Sequence, residues 1–319
     1  MTPERTALIV AGPTASGKSA LALALAERLG VTVINADSMQ VYRELRILTA
    51  RPTAAEEATV PHALYGVRPA REAGSAAWWQ AAATAAMEAA SAAGRMPLLC
   101  GGTGLYFSCL INGLSPIPSV TDEARDEARA RLKSLGPAAL HAQLAAVDPA
   151  TAARLRPTDS QRIARAWEVW RSTGRGLADW QAEPGAPSAW HFRAILLDPP
   201  RETLSEAIAG RFTAMLEAGA LQEARALVDL KLDPALPAMR AHGVPELAAH
   251  LRGEISIEEA ARRARLVTGQ YAKRQATWFR HHAPAASGAV HTIHARFTGL
   301  AQFSESQRAD LMHFIDMPA

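Results

Sequence analysis

Gly12-Pro13-Thr14-Ala15-Ser16-Gly17-Lys18-Ser19 is the stretch on which the fold turns. It matches G-x-x-x-x-G-K-[ST] at every fixed position. Before it, Thr6 to Ala11 is a short apolar run that reads as a buried strand. After it, Ala20 to Leu29 reads as a helix, and Gly30 is a good stop. A strand, a Gly-rich loop and a helix start make a phosphate cradle, because backbone N–H groups at a helix N-terminus point at an anion. Gly12, Pro13, Thr14, Ala15, Ser16 and Gly17 are therefore assigned, with Lys18 and Ser19, to a diphosphate or nucleotide. Lys18 is expected on the outer phosphates and Ser19 on Mg²⁺. The loop alone does not separate hydrolysis, kinase chemistry and other transfers.

Further along, Val31 to Ile34 reads as a second strand, with Asp37 just past its end. Ser75 to Ala93 is an Ala-rich helix closed by Gly94, and Pro97 to Cys100 is a third strand running into Gly101-Gly102-Thr103-Gly104. This alternation predicts a parallel α/β sheet with crossover helices. The pattern then changes. Leu114–Ser119 and Gln181–Ser188 read as Pro-bearing linkers, and Thr121 to Gly174 between them is helix-like, broken near Gly136-Pro137, Pro149 and Pro157. His191 to Leu197 reads as a strand again. The expected fold is a P-loop NTPase-like parallel α/β core with an inserted all-helical domain. Residues 1–117 and 189–319 form the core, and 118–188 form the insertion. In the second core segment, Glu202–Leu227 reads as helical with a break near Gly219. Ser256 caps a helix running at least to Lys273, with Glu259 completing a capping box. Val290–Ala295 reads as an edge strand and Ser304–Phe314 as a short helix.

At 319 residues the chain exceeds the usual size of one hydrophobic core, and 49% hydrophobic residues suffice for a sizeable one. The formal charge is only +3, so its distribution matters more. Between Arg262 and Arg280 lie Arg262, Arg263, Arg265, Lys273, Arg274 and Arg280 with no acidic residue among them. Such a run suits a polyanion, or it is simply a solvated helix face. Cys100 and Cys109 make neither a disulfide framework nor a metal set. No apolar run reaches membrane-spanning length, and no targeting segment precedes Thr6. A cytoplasmic monomer is expected.

No clear Walker B aspartate follows the loop, since the third strand ends in Gly-Gly-Thr. Asp37 is the other candidate carboxylate. It stands at the carboxyl end of strand two, where open α/β sheets bind ligands. It could reach Mg²⁺ through water, take a proton from a nucleophile, or merely cap the next turn. Thr103 offers a hydroxyl at the same sheet edge.

Four segments occur together in order: the phosphate loop, Asp37-Ser38-Met39-Gln40-Val41-Tyr42, Gly101-Gly102-Thr103-Gly104-Leu105-Tyr106, and Ala272-Lys273-Arg274-Gln275-Ala276-Thr277-Trp278-Phe279-Arg280. Together they resemble the tRNA dimethylallyltransferase family, over roughly residues 6 to 280. Arg51-Pro52, Pro61-His62, Gly113-Leu114-Ser115-Pro116, Gln161-Arg162 and Gly243 beside Glu246-Leu247 also fit. The resemblance implies Mg²⁺-dependent transfer of a dimethylallyl group from its diphosphate to N6 of adenine 37. The acceptors are tRNAs that read codons beginning with U. It further implies that the phosphate loop, often called an ATP site, holds the prenyl diphosphate, and that the insertion embraces the anticodon stem-loop.

Carried over by position, Asp37 resembles the general base for the N6 proton and Thr103 the threonine beside the reacting centre. Lys18 and Ser19 keep their diphosphate and Mg²⁺ roles. The tRNA-contacting segments correspond to Asp37, Ser38, Met39 and Gln40; to Thr103; to Gln161, Arg162, Ile163, Ala164 and Arg165; to Arg240, Ala241, His242, Gly243, Val244 and Pro245; and to Lys273, Arg274, Gln275, Ala276, Thr277, Trp278, Phe279 and Arg280. Departures occur at Leu48, where the family commonly has glycine, at Gly104, where a bulkier residue is frequent, and at Ala241-His242-Gly243-Val244-Pro245. None removes a group the chemistry needs. Arg211 is a further candidate clamp on the diphosphate. Trp78, Trp79, Trp167 and Trp170 read as packing, and Trp278 as the tryptophan nearer RNA. The rival reading is a small-molecule or nucleotide kinase, which shares the loop and a helical lid. A third is an RNA-binding protein with a relic loop.

Overall fold

The computed structural model describes residues 5–316; the extreme ends of the two expected core segments, 1–4 and 317–319, lie outside them. The elements run β1 (Thr6–Ala11), α1 (Lys18–Leu29), β2 (Val31–Asn35), α2 (Ala54–Thr59), β3 (His62–Ala63), α3 (Ala76–Ala92), β4 (Met96–Gly101) and α4 (Gly104–Asn112). They continue with α5 (Asp122–Val147), α6 (Pro149–Ala152), α7 (Ser160–Thr173), α8 (Leu177–Gln181), β5 (His191–Leu197), α9 (Arg201–Glu217), α10 (Ala220–Asp229), α11 (Val244–Leu251), α12 (Ile257–His281), β6 (Val290–Ile293) and α13 (Glu305–Asp316).

The six strands form one sheet in the order β3-β2-β4-β1-β5-β6, and each neighbouring pair is parallel. The expected α/β fold with inserted helices is the fold observed. Parallel strands need both faces covered, which is why β1, β2, β4 and β5 are near-continuous apolar runs. One face packs Ile9, Ile34, Leu99 and Leu196 against Trp79, Met87 and Phe107. The other packs Leu8, Val10, Val33 and Leu98 against Leu21 and Leu25 of α1. Trp79 is fully buried, donates its indole N–H to the carbonyl of Asn35 at 2.8 Å, and stacks on Tyr106 with centroids 4.3 Å apart. Such a stack is worth about 0.5–1.5 kcal/mol beyond the area it buries.

Two compact units divide the chain. The first comprises residues 5–111 and 188–316 of the described chain and holds the whole sheet. The second, Asn112–Pro187, is helical and has its own core of Leu140, Leu144, Ile163, Ala166 and Trp167. Within it, α5 is interrupted at Gly136, whose φ of 77° is left-handed and which precedes Pro137. On α7, Ile163, Ala166, Trp167 and Val169 are buried while Arg162 and Arg165 are on the solvent side. No helix among the described residues is long and apolar enough to cross a membrane.

Several elements depart from expectation. The segment 54–63 contains α2 and β3; α2 is opened by a reciprocal Thr53–Glu56 capping box. Gly104 starts a helix rather than ending a turn, and α11 starts at Val244, directly after Gly243, with Pro245 in its first turn. At α12 the Ser256 hydroxyl does cap the Glu259 N–H at 3.2 Å. The Glu259 carboxylate, however, turns to Arg262 and Arg263 at 2.7 and 2.6 Å instead of closing the box.

Candidate active site

The phosphate loop leaves β1, Asp37 follows β2, and Thr103 follows β4. Because β2, β4 and β1 are adjacent, all three arrive at the carboxyl edge of the sheet side by side. A cavity of about 1050 Å³ opens there, lined by the phosphate loop and Asp37 but not by Thr103. Thr14, Lys18, Ser19, Asp37, Arg211 and Arg296 are among its polar lining residues, and Ile47, Leu48, Phe212 and Met215 among its apolar ones.

Lys18 is buried, and its ammonium lies 3.4 Å from the Pro13 carbonyl. Burial pulls its pKa down, Asp37 pushes it back up, and Arg211 lowers it further. Arg211 is likewise lowered by desolvation and opposed by Asp37. Two cations crowded together in a cavity, with little solvent, suit an anion of more than one charge. The structure thus brings Arg211 to the loop, as its expected clamp role requires.

Asp37 is held from both sides. Its backbone N–H donates to Asn35 Oδ1 at 2.8 Å, and its carbonyl accepts from Asn35 Nδ2 at 2.9 Å. One carboxylate oxygen, Oδ1, accepts the Met39 N–H at 2.9 Å, so the turn-capping reading is correct as far as that oxygen goes. Thr103 Oγ1 accepts the Ser38 N–H at 3.0 Å. Burial and Asp37 raise the Tyr271 phenol, against the opposing influence of Thr103 and Gln275, so it remains protonated. Burial and Arg274 hold His242 below its ordinary value, against the pull of Asp37, and its ring sits 4.8 Å from Tyr271.

Several groups here carry no sequence signal. Glu223, far along the chain, accepts the N–H groups of Arg46, Ile47 and Leu48 at 2.7–2.8 Å and so builds one cavity wall. Arg296 donates to the Ala15 carbonyl at 3.1 Å, and the Phe297 N–H to the Ser16 carbonyl at 2.9 Å. The segment after β6 therefore buttresses the phosphate loop.

The contiguous segments assigned to RNA contain two kinds of residue. Ser38, Met39, Gln161, Arg162, Arg165, Arg240, His242, Pro245, Lys273, Arg274, Thr277, Trp278 and Arg280 are exposed or half-buried. Gln40, Ile163, Ala241, Val244, Gln275 and Phe279 are buried. Gln40 spends its amide on the Thr49 and Ala50 carbonyls, and Ile163 is core of the helical unit. As folded, these side chains face inward, because a helix or turn cannot present consecutive residues to one surface. The basic run is also less one-signed than it reads. Arg262 and Arg263 pair with Glu259, and Arg280 lies 3.4 Å from Asp198. At two departures the packing explains the residue: a side chain on Gly104 would overlap the Trp278 indole, and Leu48 lies against Gly243.

A phosphate loop, a carboxylate and a hydroxyl at the ends of three adjacent strands, beside a cavity lined by both charged and apolar side chains, define a P-loop group-transfer enzyme. The chain belongs to the IPP transferase family, whose model matches residues 40–282; an isopentenyl transferase model matches residues 5–63. It is 61% identical over 313 residues to a tRNA dimethylallyltransferase of Granulibacter bethesdensis, covering 98% of both chains. Among solved structures it is similar to the full-length tRNA isopentenylpyrophosphate transferase of Bacillus halodurans, with 32% identity and a TM-score of 0.67 over 98% of this chain and 95% of that one. It also matches a eukaryotic dimethylallyltransferase acting on tRNA at a TM-score of 0.82 and 27% identity, covering 98% of this chain and 80% of that chain. The kinase and relic-loop readings give way to this membership.

Proposed function

We propose that the chain transfers a dimethylallyl group from dimethylallyl diphosphate to N6 of adenine 37 in tRNAs reading codons that begin with U. The products are N6-(dimethylallyl)adenosine and diphosphate. The observation that carries the reading is one cavity lined by cations, a carboxylate and apolar side chains. Its Lys18 and Arg211 suit a diphosphate, its Ile47, Leu48, Phe212 and Met215 suit a short prenyl chain, and Asp37 lines it as well.

N6 is a poor nucleophile because its lone pair is delocalised into the ring. An allylic diphosphate is a willing electrophile once charge on its leaving group is balanced. In this scheme N6 forms a bond to C1 of the allyl group, the C1–O bond breaks, and the electron pair leaves with diphosphate. Loop amides, Lys18 and Arg211 stabilise that charge where it develops. The N6 proton passes to the Asp37 carboxylate. Thr103 Oγ1 is held by the N–H of Ser38, the residue after Asp37. A loop nucleotide leaves its stack at lower cost than a paired one, so an anticodon-loop adenine suits a buried site.

The residues fit Mg²⁺ held mainly by its substrate. Among the described residues no three His, Cys, Asp or Glu side chains converge. The protein's share would be the Ser19 hydroxyl, with Asp37 acting through water, and such sparse protein ligation is the habit of Mg²⁺ on phosphates. When bound, the ion adds positive charge at the leaving group. The helical unit, with Arg162 and Arg165 on its solvent side, is assigned to the anticodon stem, and Lys273, Arg274 and Thr277 to the loop side. The test is incubation with labelled dimethylallyl diphosphate or labelled ATP, each with and without tRNA. Label is expected in RNA from the prenyl donor alone; transfer from ATP, or none from either, contradicts the reading.

A further inference from the structure

We infer that Gln275 is a positioning residue whose single amide fixes the phosphate loop relative to the end of β4, and thereby sets the approach of donor to acceptor. This rests on the proposed prenyl transfer. Gln275 lies in the middle of α12 and is only 4% exposed. Its Oε1 accepts both the backbone N–H and the hydroxyl of Thr14, at 2.8 and 3.0 Å. Its Nε2 donates to the Gly102 carbonyl at 2.9 Å. Tyr271, one turn earlier, lies near this side chain and Thr103.

Two features separate this from ordinary packing. Thr14 belongs to the loop assigned to the diphosphate, yet its N–H points at α12. The loop is thus shaped by a helix distant in sequence, not by an anion alone. Gly102 and Gly104 are also dictated by α12. A Cβ on the first would overlap Gln275 Nε2, and one on the second would overlap the Trp278 indole. Thr103 is held between two glycines against which one helix face is seated, with its hydroxyl tied to Ser38 beside Asp37. One planar amide therefore spans the donor side and the acceptor side. Removing it leaves the cations of the donor site and the general base in place but frees the distance between them. Transfer is steep in that distance, since a misplacement of about 1 Å can cost about a hundredfold in rate.

The decisive variant is Gln275→Met, which keeps the volume and removes the hydrogen bonds. Single-turnover transfer should fall about tenfold to a hundredfold. Affinity for a non-reactive dimethylallyl diphosphate analogue, and for tRNA, should each stay within about twofold. Gly102→Ala should displace the same amide from the opposite side and give the same pattern, which keeps the test open if Gln275→Met fails to fold. An unchanged rate in a folded variant overturns the inference. So does a rate loss matched by an equal loss of analogue affinity, which would make Gln275 a binding residue. Absence of transfer by the wild-type enzyme would instead sink the functional reading itself.

Discussion

The Asp37 carboxylate has one oxygen in a structural contact, and the proposed proton transfer falls to the same group. Oδ1 is taken by the Met39 N–H, and no other hydrogen bond to this carboxylate is seen among the described residues. An Asp37→Asn variant keeps an acceptor for Met39 but cannot take the N6 proton. It should fold, bind the donor analogue nearly as well, and transfer at least about a hundredfold more slowly in single turnover; near wild-type rates would remove the general-base role. Lys18→Ala deletes a buried charge that the proposed mechanism sets on the outer phosphate. Its analogue affinity should drop by about tenfold or more, measured by titration. Burial pushes the thiols of Cys100 and Cys109 up to about 11. Both remain protonated at pH 8, so a thiol reagent should label the native protein slowly and both cysteines rapidly once it is denatured. At this scale the sequence exposed the groups with motif value, Lys18, Ser19, Asp37 and Thr103. It hid Asn35, Glu223 and Gln275, because an amide or carboxylate that satisfies distant backbone looks like any surface polar residue until the chain is folded.

At the scale of elements, the carboxylate of Glu223 on α10 organises the 46–48 segment through three backbone N–H groups. Glu223→Ala would leave those donors unpaired. A loss of about 2–3 kcal/mol in denaturant unfolding is expected, along with a looser apolar wall. On α7, Arg162 and Arg165 lie three apart on the solvent side, each with an acidic neighbour 3.4 Å away. Exposed pairs of this kind are weak, so phosphates can compete for the guanidinium groups. Replacing both arginines with alanine should weaken tRNA binding and lower its salt slope by about one per lost phosphate contact, with donor binding unchanged. Strands and long helices were legible because their apolar periodicity is strong. The capping box at α12 was misread because Arg262 and Arg263 outcompete the backbone for Glu259. The short elements α2, β3 and α11 escaped because eight residues or fewer carry too little periodicity, although the Thr53–Glu56 box before α2 was a local signal for it.

For the whole molecule, the order β2-β4-β1 is the fact from which function follows, since it seats Asp37, Thr103 and the phosphate loop in a row. That order was only half legible. Parallel strands and a loop at the carboxyl edge follow from the alternation of strand and helix, whereas which strands neighbour one another does not. The C-terminal segment lacked any motif, yet Arg296 and Phe297 brace the loop from behind. The compact helical unit runs from Asn112 to Pro187, so it includes the proline-bearing stretch at 114–117 that the sequence reading left with the core. The most direct measurement is to incubate the enzyme with dimethylallyl diphosphate, Mg²⁺ and an unmodified tRNA reading a U-initial codon, then digest the RNA and map its mass. The expected result is one dimethylallyl group, confined to adenine 37 and absent from a transcript with guanine there. RNA that gains no such group, or gains it elsewhere, would contradict the assignment.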